Sequence, residues 1–188
     1  MLPVALAVDE ATGQLAVATF NDGRLRILDV SARRAQHTIV VGQHPVALVI
    51  TTAAGRPAVL AANFGGYVSL VGERSGHILR VDRLGPRALP MALATDQQGG
   101  GQIYAANCGS RTVSILDNRA MAPPRAVPVL RHDPSEISPS PWTVAVDTRR
   151  ALLFVVSEWS NTLSVLDSQR GVLVRTISLA TGQPIPAP

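Results

Sequence analysis

Four residues have the side-chain chemistry of general acids and bases and fall where loops are expected: His44, His132, Asp133 and Glu136. Acid–base catalysis needs such groups within hydrogen-bond reach of a reacting atom, and covalent catalysis needs a nucleophile beside a base. His44 is distant in sequence from the other three, and no hydroxyl or thiol motif places a nucleophile next to any of them. No catalytic residue is therefore assigned. The single cysteine, Cys108, cannot form an internal disulfide, and no Cys/His spacing matches a metal site, so neither metal nor cofactor is expected. A second set suits contact rather than reaction: Phe20, Phe64, Met91, Trp142 and Trp159. Large aromatics supply buried area in cores and interfaces alike, so these residues can form a partner surface or simply pack the fold.

What positions these residues is repetition. Pro3 to Asp29, Pro45 to Gly72, Pro90 to Asp117 and Pro141 to Asp167 share one plan: a proline, three apolar runs separated by turns, and a closing Asp or Gly. A unit of roughly 40 to 50 residues made of short runs, without a 3.6-residue apolar period, implies four-stranded propeller blades and excludes helical arrays. The reading is all-β: four blades of four antiparallel strands, at about 3–44, 45–89, 90–140 and 141–181, with 182–188 as the start of a further unit or a tail. Four blades read as an arc of a larger or oligomeric propeller; a closed four-bladed ring is the alternative.

Within each unit the first strand (Val4 to Asp9 and its equivalents) is rich in small residues and is placed innermost. The second (from Gln14, Ala58, Gln102 and Leu152) is nearly continuous in apolar residues, as a strand covered on both faces requires. The third carries Arg26, Ser69, Ser114 or Ser164 at one shared position and is expected to be partly exposed, and the fourth alternates openly at the rim. Asp29, Asp117 and Asp167 close third strands, where a carboxylate bonds the amides of the next turn. The turns after the second strands contain Asn21-Asp22-Gly23, Phe64-Gly65-Gly66, Cys108-Gly109-Ser110 and Trp159-Ser160-Asn161, types that tolerate positive φ.

Register places the candidate contact residues at one end of the array. Phe20, Phe64, Cys108 and Trp159 are read as equivalent, as are Val4, Val46, Met91 and Trp142, so two tryptophans converge on the fourth unit. The proline-rich connection from Asp133 to Pro141 enters on that end, and long irregular connections often carry function.

Composition is that of a globular chain, 46% hydrophobic and 16% charged, with no apolar run near the roughly 18 residues a membrane helix needs. Met1-Leu2-Pro3 leads directly into the first strand, which reads as a chain without a signal peptide. All 17 basic residues are arginine, scattered through turns and rims; a net charge of +4 without clustering or stacking aromatics does not make a nucleic-acid footprint.

Tyr104-Ala-Ala-Asn107 followed by Thr112-Val-Ser-Ile-Leu-Asp117, and the same frame from Phe154 to Asp167, resemble the YVTN repeat, and the likeness covers nearly the whole chain as four units. That resemblance implies a propeller, commonly seven-bladed, in mostly extracytoplasmic bacterial and archaeal proteins. Its matching residues are framework, so it implies no catalytic residue. Two functions follow as expectations. One is a non-catalytic scaffold binding a protein or cell-envelope partner. The other is a fragment or subunit of a propeller enzyme, similar to amine dehydrogenase heavy subunits or lactonases. Self-association through the terminal blades is also expected, across faces lined by Leu15, Val17, Leu25 and Ile27 in unit one and by Leu153, Val155, Leu163 and Val165 in unit four.

Overall fold

Short apolar runs punctuated by Gly, Asn and Asp fold into strands and turns, and among the described residues there is no helix. The computed structural model describes residues 1–96, 101–118, 122–129 and 140–185; His132, Asp133 and Glu136 lie outside them.

Blade 1 comprises β1 (Pro3–Asp9), β2 (Gln14–Thr19), β3 (Arg24–Asp29) and β4 (Arg34–Val40). Blade 2 comprises β5 (Pro45–Ala53), β6 (Arg56–Asn63), β7 (Tyr67–Gly72) and β8 (Ile78–Arg83). Blade 3 comprises β9 (Pro90–Thr95), β10 (Gln102–Asn107), β11 (Thr112–Asp117) and β12 (Arg125–Pro128). Blade 4 comprises β13 (Pro141–Asp147), β14 (Leu152–Ser157), β15 (Thr162–Asp167), β16 (Val172–Ser178) and a short β17 (Pro184–Ile185) on its outer edge. Each sheet is an antiparallel meander in chain order.

The first strands of successive blades, β1 with β5, β5 with β9 and β9 with β13, lie against one another, which puts them innermost. β1 does not pack on β13 in this way, so the four blades form an open arc and not the closed ring held as the alternative. Apolar clusters fill the seams between blades. Ala16, Ala18, Leu25 and Ile27 of blade 1 meet Leu48, Val59, Ala61 and Val71 of blade 2. Leu60, Ala62, Val68 and Leu70 meet Leu93, Ile103 and Ala105 of blade 3, and Tyr104, Ala106 and Val113 meet Val144, Leu153 and Val155 of blade 4. Small residues on the second strands let sheets approach closely.

The third strands differ from expectation. Ser69, Ser114 and Ser164 are fully buried. Ser69 Oγ donates to the Val41 carbonyl at 2.7 Å across the first seam, and Asn107 Nδ2 donates to Ser114 Oγ at 2.8 Å. At Ser69 and Ser114 the shared polar position serves internal hydrogen bonds, and at all three serines it is buried and no sign of solvent. The carboxylates of Asp29 and Asp167 behave as expected: Asp29 Oδ1 accepts from Ala32 N at 2.9 Å, and Asp167 Oδ1 accepts from Gln169 N and Arg170 N at 2.9 and 2.8 Å.

Candidate functional site

Every blade opens with a bulge. Pro3 pairs with Thr19, Pro45 with Asn63, Pro90 with Asn107 and Pro141 with Ser157, and in each case the next residue, Val4, Val46, Met91 or Trp142, has no cross-strand partner. Proline cannot donate to the ladder, and a bulge beside it re-aims one side chain. In blade 4 that side chain is Trp142, 47% exposed. Trp159 lies two residues beyond Ser157 at the same end and is 68% exposed.

Backbone bonds correct the assumed equivalence of Trp159. The amides donating to the residue before each opening proline belong to Phe20 (to Leu2), Phe64 (to His44), Cys108 (to Leu89) and Glu158 (to Ser140). Glu158 is thus the equivalent of Phe20, and Trp159 lies one residue further out on the turn. Left-handed φ in these turns falls on Gly23, Gly66, Arg111 and Asn161; in the third unit it is Arg111, not the Cys108-Gly109-Ser110 segment, that takes it.

The same end holds the remaining described candidates. The rings of Phe20 and His44 pack 4.4 Å apart at 33°, joining the second turn of blade 1 to the entry of blade 2. His44 has φ 52°, and Leu89, its equivalent before Pro90, has φ 47°. Left-handed backbone costs about 1–2 kcal/mol for a residue with a side chain, and here it turns carbonyls toward the Phe64 and Cys108 amides. Phe64 and Met91 are half-buried. Burial pushes the Cys108 thiol up, which suits an inert side chain and not a nucleophile. Among the described residues no group of three or more His, Cys, Asp or Glu gathers as metal ligands. The end combines strained entries with exposed aromatics.

The opposite end carries polar clasps that the sequence did not reveal. The residue after each third strand reaches back to the preceding blade: Glu73 meets Thr12 Oγ1, and Asn118 Nδ2 donates to Thr51 Oγ1 at 3.1 Å and to the Thr52 carbonyl. At the third seam Ser168 bonds the hydroxyl of Tyr104, whose deep burial pushes its phenol up. Glu73 is 1% exposed, and loss of hydration pushes its carboxyl up; Asp9 adds to this, while the Thr12 hydrogen bond and Arg74 oppose it. A cavity of about 350 Å³ beside it is lined by Thr12, Gln14, Gln36, Glu73 and Arg74. The only signal for this pair was a lone Glu directly after a third strand.

These features define an all-β array of propeller blades with exposed tryptophans at one end. No family model matches the chain, and no curated protein sequence does. By structure it is similar to a chain of hydrazine synthase from Kuenenia stuttgartiensis, with a TM-score of 0.76 at 16% identity over 97% of this chain. The match covers 49% of that chain, so this one spans about half its length. With 1306 solved chains matching in structure, the likeness defines a fold and leaves the function to the site. No helix among the described residues is long and apolar enough to cross a membrane.

Proposed function

We propose that this chain is a non-catalytic propeller scaffold whose Trp142/Trp159 end binds a protein partner. The carrying observation is the placement of both tryptophans, 47% and 68% exposed, on one end of one blade, with Trp142 held there by a bulge. Exposed aromatics on a strand and its tight turn bind with little conformational cost, and Trp is enriched at the energetic centre of interfaces. The half-buried Met91 and Phe64 and the Phe20–His44 pair extend the surface across the arc. The likeness to the YVTN repeat supports an extracytoplasmic setting, in which the partner belongs to the cell envelope.

The test places a photo-crosslinking amino acid at Trp159 and identifies what it captures in envelope extracts, with Trp142→Ala as the competitor surface. One defined adduct that disappears in Trp142→Ala while strand content is unchanged supports the reading; capture indifferent to Trp142 removes it. The alternative, a fragment or subunit of a propeller enzyme whose reacting groups lie in further blades or another chain, is favoured by the name of the structural neighbour.

A further inference from the structure

The first two seams fill one equivalent position with opposite chemistry. Register makes Asp9 of β1 and Thr51 of β5 the same position, and Glu73 and Asn118 each directly follow the third strand of the next blade. In the second seam the pair is complementary, Asn118 Nδ2 donating to Thr51 Oγ1 at 3.1 Å. In the first seam the pair is Asp9 and Glu73, two facing carboxyl groups on residues 8% and 1% exposed. Ionised carboxylates only accept hydrogen bonds, so neither can satisfy the other.

The groups around them add acceptors. Thr12 Oγ1 donates its one proton to Glu73 Oε1, which leaves only lone pairs on the hydroxyl. Asp9 Oδ1 takes the Ala11 and Thr12 amides at 2.9 and 3.4 Å. Glu73 Oε2 and Gln14 Oε1 are both buried without a hydrogen-bond partner, and Thr12, Gln14 and Glu73 line the same cavity of about 350 Å³. Buried oxygens left in this way call for an explanation, of which a bound ion is one. A proton shared between the two carboxyl groups would satisfy Glu73 and Asp9 but leave Gln14 Oε1 unmatched. Arg74 acts on Glu73 through its charge and not through a hydrogen bond.

We propose that this seam binds a hard divalent cation, with Ca²⁺ the best match, through Asp9, Glu73, Gln14 Oε1 and Thr12 Oγ1, and that the ion ties blade 1 to blade 2. All four groups offer oxygen and none offers sulfur or imidazole nitrogen, the donor set that suits calcium and magnesium. Calcium accepts irregular mixtures of carboxylate, carbonyl and water oxygen, whereas magnesium demands a near-ideal octahedron at shorter distances. Two carboxylates match the charge of the ion and turn a like-charge contact into an attraction. The second seam, with its neutral Thr51–Asn118 clasp, has no such need. This site is independent of the tryptophan end.

The test is the melting temperature of the whole chain in chelator-treated buffer, with and without CaCl₂, against NaCl of equal ionic strength. At about 10 mM CaCl₂ and neutral pH a saturable rise of about 3–10 °C is expected, the scale that roughly ten- to hundred-fold excess over the dissociation constant gives a chain of this size. Asp9→Asn and Glu73→Gln should abolish the rise. Asp147→Asn, which changes the equivalent carboxylate of blade 4, should keep it. In the chelated buffer Glu73→Gln should melt no lower than wild type, so loss of its calcium response is not loss of the fold. Calorimetric titration of the wild type should show one calcium site per chain, and it decides the matter if Asp9→Asn does not fold. A rise matched by NaCl, a rise that survives Glu73→Gln, an equal loss in Asp147→Asn, or the absence of saturable heat overturns the proposal.

Discussion

Thr12 Oγ1 donates a hydrogen bond to Glu73 Oε1 across the seam between the first two blades, and Glu73 is almost fully buried in making it. Its carboxyl also faces Asp9, whose Oδ1 is engaged by the Ala11 amide at 2.9 Å. The seam thus buries two acidic groups together, and Arg74 only partly offsets their charge.

A pH dependence follows. Glu73 titrates above its ordinary value in the fold, driven first by burial. Between the ordinary and the raised values the folded chain holds a proton that the unfolded chain has released, so stability falls as pH rises through that interval. Below it the penalty is absent, and above it the penalty is complete. Glu73→Gln keeps an acceptor for Thr12 and offers a donor to Asp9, so the variant should match wild type near pH 4 and melt higher at about pH 8. Thermal melts across pH check this; a variant less stable throughout would sink it.

Asn118 clasps the second seam without charge. Asn118→Ala leaves Thr51 Oγ1 and the Thr52 carbonyl without this donor and should cost about 1–3 kcal/mol. Asn118→Asp sets a carboxylate against that carbonyl and should cost more at neutral pH than in acid. Denaturant titrations decide, and equal loss for Asp and Ala at every pH contradicts the clasp.

The fold was legible because each unit repeats its punctuation: an opening proline, a turn after the second strand, and a closing Asp or Gly. The seams were less so. Ser69 reads as a solvent-facing residue in sequence because a hydroxyl looks the same whether it meets water or the Val41 carbonyl of another blade. The end faces were misassigned in part because positions were taken by parity within a strand, whereas register pairs Leu15 with Leu28 and sends Leu25 to the opposite side. The prominence of Trp142 was visible from its place after a proline. That a bulge frees it from pairing needed the ladder itself.

Gly42 shows how tightly a blade entry is built. Its φ is 136°, and a Cβ there would lie 2.0 Å from Tyr67 Oη, which accepts from the Gln43 amide at 2.9 Å. Gly42→Ala strains the backbone and displaces the tyrosine, so a loss of about 1–3 kcal/mol is expected. Tyr67→Phe should cost less, since it removes one hydrogen bond and no packing. If Gly42→Ala folds with wild-type stability, the entry is not conformationally fixed.

The tryptophans and Tyr104 separate contact from packing. Tyr104 is wholly buried in the third seam with its hydroxyl 2.7 Å from Gln102 Oε1, so Tyr104→Ala should cost about 3–5 kcal/mol. Trp142 and Trp159 leave much of their surface in water, and their stability contribution should be small: a change within about 1 kcal/mol for Trp159→Ala and somewhat more for Trp142→Ala, which is the less exposed of the two. Because Trp142 sits at the bulge with no cross-strand partner, its loss should remove contact area and leave the β13–β14 ladder in register. Chemical denaturation of the three variants, compared in one series, checks the order. A cost for either tryptophan as large as that for Tyr104 would show that the side chain is structural, and the partner surface would then have to lie elsewhere on the arc.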